Sequence, residues 1–313
     1  MRSRLDLERL ASPALCKAAA VIDDGTFFVT GDGDGTSRYG GTELDWPWPQ
    51  AGGVPGEWLR SREGHVALLD LGGLLRVLGE RIFVAEPRDE SPAAPDDDGV
   101  VTVVEARLVT ETAWDGKQAA RFALDCAEHV LGDTASPRLR NGASLADVVS
   151  AARRALEGGR GDEGLLGSVS RVASARRLRR SADDLAHLAF SVTISDEAAE
   201  VDVLDDPDWE SIAALRDAVL GAVEAVRHQA FPHLLGTSAD RRAHADDAPD
   251  VMAVPMDTNW GRFIPGMHGG IVPAYLGARE AAERARQASS DSGGREALSA
   301  ELSWQTAALA RVL

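Results

Sequence analysis

Cysteine is nearly missing from the 313 residues: Cys16 and Cys126 are the two thiols, too few for a disulfide framework or a cysteine-rich zinc site. Both sit in Ala- and Leu-rich surroundings and read as buried free thiols. Basic charge is also short, with 33 Lys and Arg against 50 Asp and Glu and a formal charge of -17. Such a field repels nucleic acid and anionic membrane surfaces at long range, so a nucleic-acid partner is not expected. No run approaches the roughly 18 apolar residues that span a bilayer. Leu10 to Val21 has the hydrophobicity of a signal core. However, Asp6 and Glu8 stand where such a signal is basic, and Pro13-Ala-Leu-Cys16 lacks the small residue of a lipidation site. A cytoplasmic protein without a membrane span is expected. No repeat of constant period occurs, nor a Gly-x-Ser-x-Gly elbow, a phosphate loop or a dinucleotide fingerprint. High Ala, Arg, Asp and Gly with little Lys fits a GC-rich bacterial genome, which is codon usage and not chemistry.

What is there divides in two. The first third carries short β-type runs at Thr26–Thr30, Val66–Asp70 and Arg81–Glu86, separated by Gly-rich turns. The acidic segment 87–99 cannot bury much and reads as a hairpin excursion, with a domain linker as the alternative. Val100–Val109 follows as a strand with Val100, Val104, Ala106 and Leu108 on one face and Glu105 and Arg107 on the other. From Thr112 the period turns helical. Thr112 with Asp115 resembles a capping box. Ala120, Ala123, Leu124, Ala127 and Leu131, widened by Phe122 and Cys126, form a stripe that ends at Gly132. Ser144 with Asp147 opens a second helix with Leu145, Val148, Val149, Ala152 and Leu156 on its face. A third is expected over Ser168–Leu188, and a fourth after Asp206-Pro207 with Trp209, Ile212, Leu215, Val219, Val223 and Val226 inward, ended by Pro232. Two more fall near Ala274–Gln287 and Arg295–Leu313, with a loop over Ser289–Gly294. The expectation is an α+β fold: a strand-rich N-terminal region over 1–110, then a mainly α-helical bundle over 111–313. The bundle carries a small inserted hairpin (Ala189–Leu204) and a Gly/Pro-rich segment, 254–273.

Phe122-Ala-Leu-Asp-Cys-Ala-Glu-His-Val-Leu131, then Pro137-Arg-Leu-Arg140, Ala151-Ala-Arg-Arg154 and an alanine-rich run from Arg176 to Ala189, together resemble one family. They are similar, over roughly residues 112–190, to the Ala-rich helical domain of bacterial immunity proteins, the immunity-protein-5-like domain. The resemblance implies a helical interaction module that binds another protein, and it carries over no catalytic residue. Asn141-Gly-Ala-Ser144 is an insertion relative to that pattern.

Several constellations carry candidate chemistry. Asp125 and His129 share a helix face four residues apart, the spacing of a two-ligand metal site. The competing expectation is a helix-end histidine paired with Asp125, stabilised by the macrodipole. Asp184 with His187 and Glu224 with His228 have a carboxylate–histidine spacing partly like that of di-metal bundles, though surface ion pairs explain them. The loop from Asp32 to Glu43 places acids as a calcium loop does but has Ser37 where glycine is required, so no metal is expected there. Arg176, Arg177 and Arg180 sit in a dense basic run suited to an anionic partner, or to pairing with Asp183 and Asp184. Trp46-Pro-Trp-Pro49, with Trp58 nearby, is an aromatic ladder or a core. Asp257, Trp260, Arg262, Phe263 and His268 crowd an irregular segment between helices, where binding sites tend to lie. No nucleophile–base pair or ligand set closes, and no cofactor is implied. The expected function is therefore non-catalytic binding of another protein. The alternative is a hydrolase or metal-dependent enzyme that uses Asp257, Arg262 and His268 or the Asp125/His129 pair.

Overall fold

A computed structural model describes residues 25–31, 36–37, 44–50, 53–61, 64–88, 92–132, 143–159, 164–167, 169, 213–230 and 273–313. These form an α+β protein of two compact units. Met1–Leu74, Arg81–Ala113 and Leu313 belong to the first; Leu75–Glu80 and Trp114–Val312 belong to the second.

The first unit is built on an antiparallel sheet of six strands in the order β4-β8-β6-β1-β5-β7. The strands are β1 (Phe27–Gly31), β4 (Leu59–Arg60), β5 (Val66–Leu69), β6 (Arg81–Pro87), β7 (Val100–Val103) and β8 (Glu105–Glu111). β2 (Thr36–Ser37) and β3 (Leu44–Asp45) form a separate pair, and α1 (Leu71–Leu74) is a single turn. β7 lies at one edge and β8 beside the other, yet Val104 alone separates them. In a flat sheet four strand spacings would hold them about 19 Å apart. Val103 and Glu105 are at most about 7 Å apart across two peptide units. The sheet is therefore rolled into a half-barrel, and the single segment 100–111 pairs with β5 through its first half and with β6 through its second.

The roll corrects two expectations. Val100–Val109 is not one alternating strand: Val101 and Val103 enter the core from β7, Ala106 and Leu108 enter it from β8, and Val104 between them is exposed. The face switches because the chain bends from one pairing partner to another, a long-range event that local alternation does not encode. Nor is the acidic segment a hairpin, since β6 and β7 are separated in the sheet by β1 and β5. Asp96 fastens the end of that crossover by accepting from the backbone N–H groups of Asp98 and Val100, both at 2.9 Å. Val29, Val66, Leu68, Phe83 and Ala85 complete the interior with Trp46, so this indole belongs to the core. Trp48 packs edge-on to Phe83 and lies 3.5 Å beneath the Arg81 guanidinium, which Glu111 holds through two hydrogen bonds.

The second unit is helical. α2 (Gly116–Leu131) starts one turn later than expected: Asp115 is its N-cap and accepts from the Gln118 N–H at 2.8 Å. Thr112 instead donates its hydroxyl to the Ile82 carbonyl. Every residue of the predicted α2 stripe is buried. α3 (Leu145–Leu156) has the full capping box of Ser144 and Asp147 and buries its predicted face. α4 (Ala213–Ala230) buries Val219, Val223 and Val226. It packs on α2, α3 and α5 (Ala274–Ala310).

α5 bears no loop at Ser289–Gly294. Helix runs up to a single break at Gly294, whose φ of 65° and ψ of -149° suit only glycine. Arg286 donates to Gln305 at 2.8 Å, although 19 residues of straight helix would separate them by about 28 Å. α5 is therefore a hairpin of two antiparallel arms. α4 crosses its first arm backbone to backbone at Gly221 and Gly277, where a Cβ on either glycine would lie within 2.8 Å of the other helix's main chain. The expected third helix, the inserted hairpin and the Asp206-Pro207 helix start lie wholly or largely outside the described residues.

Candidate functional site

Two places in the described residues gather side chains able to recognise or react. The first is the face of α2 that carries Asp125, Cys126, Glu128 and His129. Helical spacing puts them over two neighbours at once. From α3, Arg153 reaches across with Nε and Nη2 to the two Glu128 carboxylate oxygens and with Nη2 to Asp125 Oδ1, each at 2.7 Å. Burial opposes the charge on Arg153, but these hydrogen bonds outweigh it and raise its pKa.

His129 turns to the second arm of α5. Its Nδ1 lies 2.7 Å from Glu301 Oε2, and its ring stacks on Trp304 at 3.8 Å and 5°. Glu301, only 2% exposed, also accepts from Gln305 Nε2 at 2.8 Å; the same amide nitrogen donates to the Ala282 carbonyl, and Arg286 donates to Gln305 Oε1. The histidine is thus paired with Glu301 and not with Asp125, which Arg153 takes. The expected Asp125–His129 pairing is corrected by a partner 172 residues away. Cys126, one turn before His129, is free and wholly buried. Burial, then the Glu301 and Asp125 carboxylates, push its pKa well up against a weaker pull from Arg286, so the thiol stays protonated and poorly nucleophilic. Burial likewise depresses Arg286, opposed mainly by Glu283. Among the described residues no group of three or more His, Cys, Asp or Glu side chains is placed to hold a metal ion.

The second place is the rim of the half-barrel along β4. The chain from Val54 to Ser61 runs beside β8: Gly56 N–H donates to Leu108 O at 2.8 Å, Leu59 faces Ala106 and Arg60 faces Glu105. Leu59 packs inward, which leaves Trp58 and Arg60 outward. Arg107 lies 4.6 Å from the Trp58 ring centroid and Arg88 5.7 Å. Arg107 is paired with Glu86, and Arg88 and Arg60 with Glu105. Val54, Trp58 and Val104 are 52%, 37% and 43% exposed, and they are the exposed large apolar side chains among the described residues. All three fall along this one strip. β4 pairs only with β8 among the described strands.

The candidates Asp257, Trp260, Arg262, Phe263, His268, Arg176, Arg177 and Arg180 lie outside the described residues, as do Asp184, His187 and most of the Asp32–Glu43 loop; the His228 side chain does too. The partners of His129 went unread in the sequence, although a signal existed. Glu301 and Gln305 continue at i, i+4, i+7 and i+8 into Ala308 and Leu309, which puts polar groups on the inward stripe of a helix. Burial there obliges them to find partners. Trp58 was seen only as part of an aromatic ladder. Compared with known proteins, the chain matches no family model, no curated protein and no solved structure. No helix among the described residues is long and apolar enough to cross a membrane.

Proposed function

We propose that this is a non-catalytic cytoplasmic interaction protein, immunity-like in its helical part, which docks another protein along the β4 rim of the half-barrel. One observation carries the reading: Val54, Trp58 and Val104 stand exposed along one strip beside a strand that has a neighbour on one side only among the described residues, with arginines around the indole. Tryptophan and arginine are the side chains over-represented at binding hot spots. An extended partner strand added to β4 would pair with its backbone and lay its alternate side chains over the strip. The α2 polar residues support the same reading, because Asp125, Glu128 and His129 are engaged with Arg153 and Glu301 in joining helices. The net charge of -17 disfavours nucleic acid as the partner. The enzyme alternative draws on one observation, the exposed His129 ring held at Nδ1 by buried Glu301, with Asp257, Arg262 and His268 as its other candidates.

Native mass spectrometry of the tagged chain from its own host tests the proposal, with Trp58→Ala beside the unaltered protein. A polypeptide that accompanies the unaltered chain and is lost from the variant is the expected result. Trp58 is 37% exposed and carries Arg107 over its ring, so circular dichroism of the variant is read alongside, and loss of the complex counts only where the fold is retained. An undiminished complex with Trp58→Ala overturns the rim as the docking site. A metal or small molecule on an otherwise lone chain overturns the interaction reading and favours the enzyme.

A further inference from the structure

The outer face of the half-barrel rim is ordered in two rows that cross β4, β8 and β6. On one side of β8, Arg60 faces Glu105; on the other, Glu86 faces Arg107 and the Arg88 N–H donates to the Glu105 carbonyl at 3.0 Å. One row therefore reads Arg60, Glu105, Arg88. The next, two residues along each strand, reads Trp58, Arg107, Glu86. This second row is balanced, because Glu86 accepts from Arg107 Nε at 2.7 Å and lies 2.6 Å from its Nη2. The first is not. Arg88 Nη1 donates to Glu105 and so takes the carboxylate, which Arg60 approaches only to 3.9 Å. A guanidinium carries five N–H donors, so most donors of this row are unspent among the described residues. Exposure agrees: the Arg60 and Arg88 side chains are 67% and 62% exposed, and Glu105 between them is 18% exposed.

Each row thus ends at β4 with a definite chemistry, a guanidinium in one and an indole in the other. Side chains two apart on a strand share a face. A strand laid against β4 would set one residue beside Arg60 and the residue two along beside Trp58. Opposite charges across such a pair are favourable and like charges are not, and the guanidinium fork matches a carboxylate. We propose that the partner segment at this rim is an extended strand with a carboxylate side chain against Arg60 and, two residues away on the same face, an apolar side chain against Trp58. This rests on the docking proposed above and adds the chemistry of the partner. The overall charge of -17 acts at long range, and salt screens exposed charges beyond about 8 Å, so the guanidinium at contact decides. One or two carboxylates on a strand meet it without the charge density of nucleic acid, about one phosphate per 1.7 Å of duplex.

The test is an NMR titration of the isotope-labelled full chain, read at the Trp58 indole N–H, which Trp58→Ala identifies. The probe is the capped peptide Thr-Glu-Thr-Val-Thr-Glu-Thr, beside counterparts with glutamine or lysine in place of both glutamates. Titration to about 10 mM covers a Kd of about 1 mM. A saturable shift of the indole by the glutamate peptide is expected, with the glutamine peptide about tenfold weaker, the change for one lost charged contact, and the lysine peptide weaker still. Arg60→Gln, at an exposed position, should retain the circular dichroism and bind the glutamate and glutamine peptides alike. Equal shifts by those two peptides in the unaltered chain would overturn the acidic partner and leave docking at the rim standing; no shift by any peptide would overturn both. A glutamate preference that persists in folded Arg60→Gln, or tighter binding of an oligothymidylate than of the glutamate peptide at the same salt, would also overturn the acidic strand.

Discussion

Gly221→Ala sets two physical effects of opposite sign against each other. Alanine in place of glycine inside a helix gains about 1 kcal/mol from backbone entropy. At Gly221, however, the new Cβ would lie 2.8 Å from Ala281 N and 3.0 Å from Gly277 O. Both are main-chain atoms of α5, which cannot swing away as a side chain can. Relief requires the two helices to separate by several tenths of an ångström, and overpacking of this kind costs about 1–3 kcal/mol. The sum is a net loss of up to about 2 kcal/mol, with about 1 kcal/mol, a fivefold change in the folding equilibrium, as the central expectation. Gly277→Ala should act alike, since its Cβ would meet Gly221 O at 2.7 Å and Ala225 N at 2.8 Å. Gly167→Ala is the control: Gly167 is helical and nothing lies within 4 Å of its added Cβ, so the gain should survive. Urea unfolding followed by ellipticity at 222 nm reads all three midpoints. If Gly221→Ala raised the midpoint as Gly167→Ala does, the backbone contact between α4 and α5 would be refuted.

The Cys126 thiol should resist a disulfide exchange reagent at pH 8 in a Cys16→Ser background and react once urea unfolds the chain; prompt native reaction would contradict its burial. Because its folded pKa lies above the ordinary 9.0, its contribution is fully present below that value. That contribution is lost as pH rises, at up to about 1.4 kcal/mol per pH unit, so stability should fall more steeply above pH 9 in the unaltered protein than in Cys126→Ala. Glu301→Ala removes the acceptor of His129 and Gln305 and should cost about 1–3 kcal/mol, whereas Glu301→Gln keeps an acceptor oxygen and should cost less; equal losses by thermal unfolding would mean that the pairing contributes nothing. Gly294→Ala forces a side chain into a glycine-only conformation and should cost about 1–3 kcal/mol, and a stabilised variant would argue that α5 does not reverse there.

Local signals in the sequence located most elements and few of the contacts between them. Ser144 with Asp147 and the stripes of α2 and α3 were legible because capping and helical burial depend on residues within two turns of one another. The α5 reversal was half legible: Gly293-Gly294 marked a change of direction, but the good helix formers around it carry the helix up to the break, so the expected loop shrank to one residue. Asp125 and His129 failed differently. Their spacing suggested a shared task, yet tertiary packing brought Arg153 to one and Glu301 to the other, and spacing on one helix cannot reveal which side chains arrive from two others. The exposed strip could not be read at all, because Val104 is brought to the same rim as Val54 and Trp58 only through the pairing of β4 with β8.

The passage of residues 100–111 from one end of the sheet to the other also bears on how the first unit assembles. β5 and β6 can both zip onto the central β1, but the two flanks of that trio await the same segment, which is made last. Neither flank gains its neighbour before the other is within reach, so the order of events is compressed into one step. Such non-local closure slows folding, because the loop entropy is spent before the pairing rewards it. It also couples the flanks: amide protons of Leu69 on β5 and of Ala85 on β6, on opposite sides of the roll, should exchange with solvent through one shared opening, and a nick beside Val104 would release them independently.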